Sequence, residues 1–407
     1  MLIKIFKNKE NKFFFIYLSF LFICASIFLF NKHTVGNDST ISEWLINYQG
    51  GFTRRGLLGE FAFKLALLFE AKIRFVIFLF QLFFYLIFVI LIYNFIKNIN
   101  INFLSRLALY TPIFLLFPLA EIESLVRKET VIFIIFIIFL YLASNKYNEK
   151  YCNNFILLIF PISFFIWEPV IFFFPFILFI LYLKNFEKNI KETSLKVFFL
   201  SLPSLIIFFL VILNPLSAAG GKEMCEKLLT VFGERCYMSL GLLTSKSTIA
   251  QQFSNPYKLE YIVRYILIII AGFLPLFILC TNSRFYKKKI NLIFNFKSFF
   301  SIIIILLCPT LVLFAAMYDW GRIVNISYTF SILTFLFLIK NKYLQIYEGK
   351  FYLSIRNFLS YKKYYYIIFF FYCFCWYVKT VISDKIGTIP IYQIIRKTLK
   401  IIINFYF

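Results

Sequence analysis

Long apolar runs, separated by short basic stretches, constrain this chain more than any other feature. Residues 75–96 and 197–213 are apolar on every side rather than along one stripe. A helix of that kind lies inside a large core or in lipid. At 407 residues and 61% hydrophobic, the chain has more apolar surface than a soluble fold of its size encloses. In lipid only helices and closed barrels satisfy their own backbone. Barrel strands would appear as segments of about ten residues alternating in polarity, and no such alternation is present. The expected class is therefore all-α: a polytopic integral membrane protein with about eleven transmembrane helices.

With the N-terminus inside, the spans fall near 13–30, 75–96, 104–120, 130–144, 155–167, 169–183, 197–214, 262–281, 298–317, 323–339 and 364–378. The first follows Lys4, Lys7, Lys9 and Lys12 and lacks a small-residue cleavage site, so it reads as a retained anchor. The stretch 155–183 is too long for one upright helix and too short for two full ones. Pro161, Glu168, Pro169 and Pro175 interrupt it. It reads as two short segments meeting at Trp167-Glu168-Pro169, since interrupted backbone at membrane depth is tolerated only inside protein or beside a wet cavity.

One membrane domain over 1–407 results. Its outer side carries a first loop at 31–74 with an interfacial helix, a larger loop at 215–261 and an amphipathic tail at 379–407. Arg284, Lys287, Lys288, Lys289 and Lys297 crowd one inside loop, as the positive-inside rule requires. The net charge of +24 resides mainly in such loops and excludes a nucleic-acid reading. Cys225 and Cys236 share the loop 215–261, where an oxidising compartment would join them as a disulfide.

Apart from Glu10, Glu149, Glu187, Glu192 and Glu348, the 19 acids lie outside or at the outer boundary. Acids at helix ends in a membrane protein are functional candidates by default. The segment Gly50-Gly51-Phe52-Thr53-Arg54-Arg55-Gly56-Leu57-Leu58-Gly59-Glu60 combines glycines, which let backbone approach a ligand, with paired arginines, which suit phosphate. It leads into Leu57–Phe69, with Leu58, Phe61, Leu65 and Leu68 at helical spacing. Glu121 to Glu129 holds Arg127 and Lys128; there Glu123 and Arg127, four apart, could simply pair on one helix face. Glu168 sits in the break described above, where a carboxylate must be paired, solvated or protonated. Asp319-Trp320-Gly321-Arg322 occupies a short turn in which acid and base could pair. Asp38 and Glu43 lie in the first outer loop.

The remaining inventory is thin. His33 is the single histidine, so neither a histidine metal centre nor a Ser-His-Asp triad is available. There is no phosphate-binding loop sequence or dinucleotide fingerprint. No metal and no cofactor is expected. Carboxylates with arginine and lysine partners fit glycosyl transfer from a lipid phosphate: a carboxylate takes the acceptor proton and cations hold the departing phosphate.

Gly51-Phe52-Thr53-Arg54-Arg55-Gly56-Leu57 and Asp319-Trp320-Gly321-Arg322, with Arg127-Lys128-Glu129 and Glu168 as lesser markers, resemble motifs of bacterial polysaccharide-cluster membrane proteins. The chain resembles O-antigen polymerases and the wider GT-C glycosyltransferase superfamily. The resemblance implies a GT-C-like fold in the bacterial inner membrane, N-terminus cytoplasmic and C-terminus periplasmic. It implies transfer of an undecaprenyl-pyrophosphate-linked oligosaccharide onto the next lipid-linked repeat unit, with membrane lipid as surroundings, and leaves open a chain-length regulator as a protein partner. Arg54, Arg55, Arg127, Lys128 and Arg322 would hold phosphate, and Glu168, Asp319, Glu43 and Asp38 would be the catalytic acids. The arginine pair lies in the first outer loop, whereas many such polymerases carry theirs in later loops. That placement keeps open a GT-C transferase using a polyprenyl-phosphate monosaccharide. A transporter of lipid-linked sugar is a third option, disfavoured because charges inside the helices are nearly absent.

Overall fold

A computed structural model of the chain describes residues 2–34, 39–97, 99, 102–186, 189–236, 258–285, 298–347, 353, 354, 357, 362–383 and 385–406. It is 76% helical with almost no sheet. Among the described residues 7 helices are long and apolar enough to cross a membrane: Glu10–Thr34, Ile73–Ile96, Glu168–Asn185, Ile190–Leu213, Leu259–Thr281, Phe299–Ala316 and Trp320–Lys340. Glu129–Ala143 and Tyr364–Phe374 are shorter apolar helices.

The segment expected to be continuous near 104–120 is broken, and 155–167 is broken at Pro161, where an interruption was expected; proline is the reason in both. Helix α5 (Phe103–Tyr110) stops at Thr111, which is extended because Pro112 follows it; the short α6 (Phe117–Ala120) comes after the turn. Likewise α8 (Glu149–Leu158) gives way before Pro161 to the short α9 (Ile162–Ile166). The interruption expected at Trp167 is present: this residue is extended, and a 3-10 turn at Glu168–Phe173 leads into α10 (Phe174–Asn185).

The chain divides into two compact units. One comprises Met1–Phe13, Ile96–Glu121 and Gln252–Lys397. Its buried centre is α16 (Trp320–Lys340), flanked by α13 (Leu259–Thr281) and by the span formed of α14 (Phe299–Leu307) and α15 (Leu311–Ala316). The break after α5 leaves backbone carbonyls without helical donors. Asn325 of α16 supplies them, donating to Ile113 O at 2.8 Å and Phe114 O at 2.9 Å; Tyr328 Oη donates to Ala108 O at 2.7 Å. Two-residue strands at Trp376–Tyr377 and Gly387–Thr388 pair antiparallel after α17 (Lys362–Phe374). A second short pair joins Ser283–Phe285 to Leu344–Ile346.

The other unit comprises Phe14–Phe95, Ile122–Gln251 and Thr398–Phe407. It holds most of α1 (Leu2–Thr34), the turn α2 (Ser39–Ser42), α3 (Leu57–Leu68), α4 (Ile73–Ile96), α7 (Glu129–Ala143), α8 to α10, α11 (Ile190–Leu213) and α12 (Ala218–Phe232). Within α4 the amide of Gln81 is buried and donates to Thr40 O at 3.0 Å. In hydrocarbon an unpaired amide would cost several kcal/mol, so this contact ties α4 to the first loop. The C-terminal α18 (Pro390–Tyr406) belongs in part to each unit.

Helix α3 forms over the stretch expected to be interfacial, but its face toward protein is Leu58, Gly59, Ala62, Phe63 and Ala66. Phe61 and Leu68 point outward and are exposed. The small residues bring α3 close to the loop, leaving the larger apolar side chains to the outside.

Candidate functional site

The sequence around Arg54 and Arg55 folds as a turn pinned from several sides. Glu60, one turn into α3, accepts from Tyr48 N and Gln49 Nε2, each at 2.9 Å. Disulfide-bonded Cys225 and Cys236, with Cα atoms 5.3 Å apart, close α12 and its following turn into a short loop. From α12, Lys227 donates to Gln49 O at 3.0 Å. The backbones of Gly50 and Gly220 touch: a Cβ on Gly50 would lie 1.8 Å from Gly220 O. Three of the four glycines expected to admit a ligand, Gly50, Gly56 and Gly59, are packed against neighbours. Gly56 lies against the Tyr48 ring and Gly59 against the Ile46 carbonyl, and of the glycines in this turn only Gly51, with φ 108°, has open space around it.

Four segments of this unit bring their charges together. Arg55 Nε donates to Glu168 Oε2 at 2.8 Å and its Nη2 to Oε1 at 2.7 Å, a two-pronged guanidinium–carboxylate pair. Arg55 Nη1 also lies 3.6 Å from Glu43 Oε1. Arg127 donates to both Glu43 oxygens, through Nε at 3.0 Å and through Nη2. Arg54 Nη1 stands 3.7 Å from Glu168 Oε1. Lys128 Nζ donates to the backbone carbonyl of Arg55. Arg55 thus bridges two buried acids from distant parts of the sequence. Arg127, four residues after Glu123, pairs with Glu43; Ile122–Ser124 is a 3-10 turn and Val126, at φ 44°, is left-handed.

Exposure grades across the cluster. The side chain of Arg54 is 27% exposed and that of Arg55 18%, Arg127 is buried, and Lys128 is 0% exposed. Burial draws Lys128 down to about 7, opposed by Glu43, assisted by Arg55 and opposed again by Glu168. Burial also lowers Arg54, against the pull of Glu168 and with the push of Arg55. Two residues here adopt left-handed backbone without being glycine, Arg55 at φ 64° and Val126 at φ 44°. Such conformations cost on the order of 1–3 kcal/mol each and collect at functional sites. Glu129, beside Lys128, is buried as well.

Sequence reasoning missed the supports Trp44, whose Nε1 donates to Val126 O at 3.1 Å, Gln81 and the whole of α12, and it gave Glu60 no role in holding the turn. Glu60 four residues after Gly56 is a signal that was present, a carboxylate in the first turn of a helix. Nothing local marks Trp44 or Gln81.

Asp319 and Arg322 belong to the other unit, where Arg322 Nη1 donates to Asp319 Oδ2 at 3.1 Å. Gly321 is required there by packing, since a Cβ would lie 1.9 Å from Lys379 O; its N–H donates to Thr380 O at 3.1 Å. Glu121 accepts from Lys379 Nζ at 2.9 Å and from Thr380 N at 3.1 Å. Tyr265 Oη donates to Lys379 O at 3.1 Å. The turn 319–322 is thereby a dock for residues 379–382. Asp38 lies outside the described residues.

No protein-family model, no curated protein and no solved structure matches the chain.

Proposed function

We propose that this chain is a glycosyltransferase of the bacterial inner membrane, working at the periplasmic face on sugars carried by undecaprenyl pyrophosphate and joining repeat units into a surface polysaccharide. In this reading the chain crosses the membrane eleven times in a GT-C-like arrangement. The broken segments at 103–120 and 149–166 count as crossings, and the loops holding Arg54 and Cys225 lie outside.

The observation that carries the reading is the cluster of Arg54, Arg55, Arg127 and Lys128 around Glu43 and Glu168. Fork-shaped donors gathered in a partly dry setting suit phosphate oxygens, and there they stabilise a phosphate that departs with developing charge. Arg54, the most exposed of the four, meets the ligand first. Arg55 covers both oxygens of Glu168, so Glu168 takes a proton from an acceptor hydroxyl only once Arg55 has moved from carboxylate to phosphate. Phosphate binding and exposure of the base are then one event. Asp319 and Arg322 enter as anchors of residues 379–382.

The exposure gradient also favours a second reading, transfer of a single sugar from polyprenyl phosphate, because one phosphate suffices for one outward arginine. The donor decides between them: polymer from a lipid-linked oligosaccharide supports the first, and transfer from a lipid-linked monosaccharide the second.

Arg54→Ala is the informative variant, since its contact with Glu168 at 3.7 Å is the longest in the cluster and its loss leaves the Arg55 pair in place. We expect at least a tenfold loss of long-chain product, with partial retention in Arg54→Lys and unchanged protein in the membrane. Wild-type chain length in Arg54→Ala membranes removes Arg54 from the mechanism.

A further inference from the structure

Arg55 makes its contacts with Glu168 and Glu43 from an unusual backbone. Its φ of 64° is a conformation an arginine rarely adopts, so something else must hold it. Its carbonyl accepts a hydrogen bond from Lys128 Nζ. Lys128 is 0% exposed, and Glu43 and Glu168 are both near enough to act on it electrostatically. A buried lysine beside carboxylates ordinarily spends its ammonium on them. This one is bonded to main chain. The turn that presents it is itself held out of the ordinary, with Val126 left-handed and its carbonyl receiving Trp44 Nε1 at 3.1 Å and Gln81 Nε2 at 3.4 Å. Two turns far apart in sequence, each with a left-handed residue that is not glycine, are thus joined by the Lys128 hydrogen bond.

We propose that Lys128 is a positioning residue: by donating to the Arg55 carbonyl it fixes the left-handed backbone there and so aims the Arg55 guanidinium at Glu168. The charged groups that act on it are Glu43, Arg55 and Glu168, with Arg127 paired to Glu43, Arg54 beside Glu168 and Glu129 next in sequence. Where the arginines bind phosphate, as proposed above, Lys128 keeps the main chain still while the guanidinium exchanges partners. The aim of Arg55 can be tested without assuming that role.

The test is arginine footprinting with phenylglyoxal on membranes holding the full chain, read peptide by peptide in a mass spectrometer. Arg55 should label slowly in the wild type and several-fold faster in Lys128→Met. Lys128→Gln and Lys128→Arg, which retain a donor, should stay within about twofold of wild type. Arg74, bonded to Glu234 in the same unit, reports whether the fold is kept and should not change. Wild-type labelling of Arg55 in Lys128→Met overturns the proposal. So does an equal rise in Lys128→Gln and Lys128→Met, because charge rather than the donated hydrogen bond would then be responsible. Should Lys128→Met also raise Arg74, Trp44→Phe decides: it loosens the turn behind Lys128 and should raise Arg55 by less than Lys128→Met does, and an unchanged Arg55 again overturns the proposal. Inorganic pyrophosphate added to the wild type separates the two readings. Protection of Arg54 supports phosphate binding, whereas no protection removes that role and leaves the positioning role of Lys128 to be decided by its own variants.

Discussion

Lys128 puts a titratable ammonium where water does not reach, and its effect on stability has a definite sign. Burial holds it near 7 in the folded protein against an ordinary 10.5. Between those values the unfolded chain carries a proton that the folded one does not. Stability therefore climbs as pH rises through this window, by up to about 1.4 kcal/mol per pH unit for one proton, and is flat below it. Thermal unfolding of detergent-solubilised protein between pH 6 and 9.5 should show the climb in wild type and its absence in Lys128→Met; parallel curves would mean that Lys128 keeps its proton when folded. Much at this scale was legible in the sequence. Arg54, Arg55, Arg127, Lys128, Glu43 and Glu168 stand out because charges are expensive beside lipid. Their partners were not legible. Spacing offered Glu123 to Arg127; that Glu43, 84 residues earlier, pairs with it across a turn where Val126 is left-handed has no local signal.

Among the elements, α12 shows how a loop of ordinary appearance positions a site. It meets the first loop backbone to backbone, at Gly50 and Gly220, and a Cβ on Gly220 would lie 2.2 Å from Gly50 O. Alanine in a helix is otherwise favoured over glycine by up to about 1 kcal/mol, so propensity and packing predict opposite signs for Gly220→Ala. Packing should prevail, since the obstructing atom is main chain and has no rotamer through which to retreat. We expect a net loss of about 1–3 kcal/mol, measured by thermal unfolding, together with faster phenylglyoxal labelling of Arg54 and Arg55. A stabilised Gly220→Ala would show that the two backbones separate freely. The long uninterrupted spans were readable from hydropathy alone. The broken ones were readable in part: Pro112 and Pro161 mark the breaks, but the residue that makes the first break tolerable, Asn325 on α16, lies over two hundred positions away, and no local pattern connects the two.

For the molecule as a whole, the disulfide makes the proposed direction across the membrane testable. Helices of 18 to 25 residues establish that spans are available, but length is indifferent to which end is outside. Cys225 and Cys236 are not indifferent, since a pair of this kind persists in an oxidising compartment and is reduced in the cytosol. The remaining cysteines, Cys24, Cys152, Cys280, Cys308, Cys373 and Cys375, are free thiols. Intact cells treated with a membrane-impermeant maleimide should therefore leave the peptides containing Cys225 and Cys236 unlabelled. The same cells treated first with an impermeant phosphine reductant should label both. Mapping by peptide matters because Cys375, after α17, is partly exposed and would contribute to a bulk signal. If Cys225 and Cys236 label only after the membrane is opened, the loop is cytoplasmic. The α12 face and the Arg54–Arg55 turn it supports would then face the cytosol, and a reaction on sugars outside the cell would have no site in that unit.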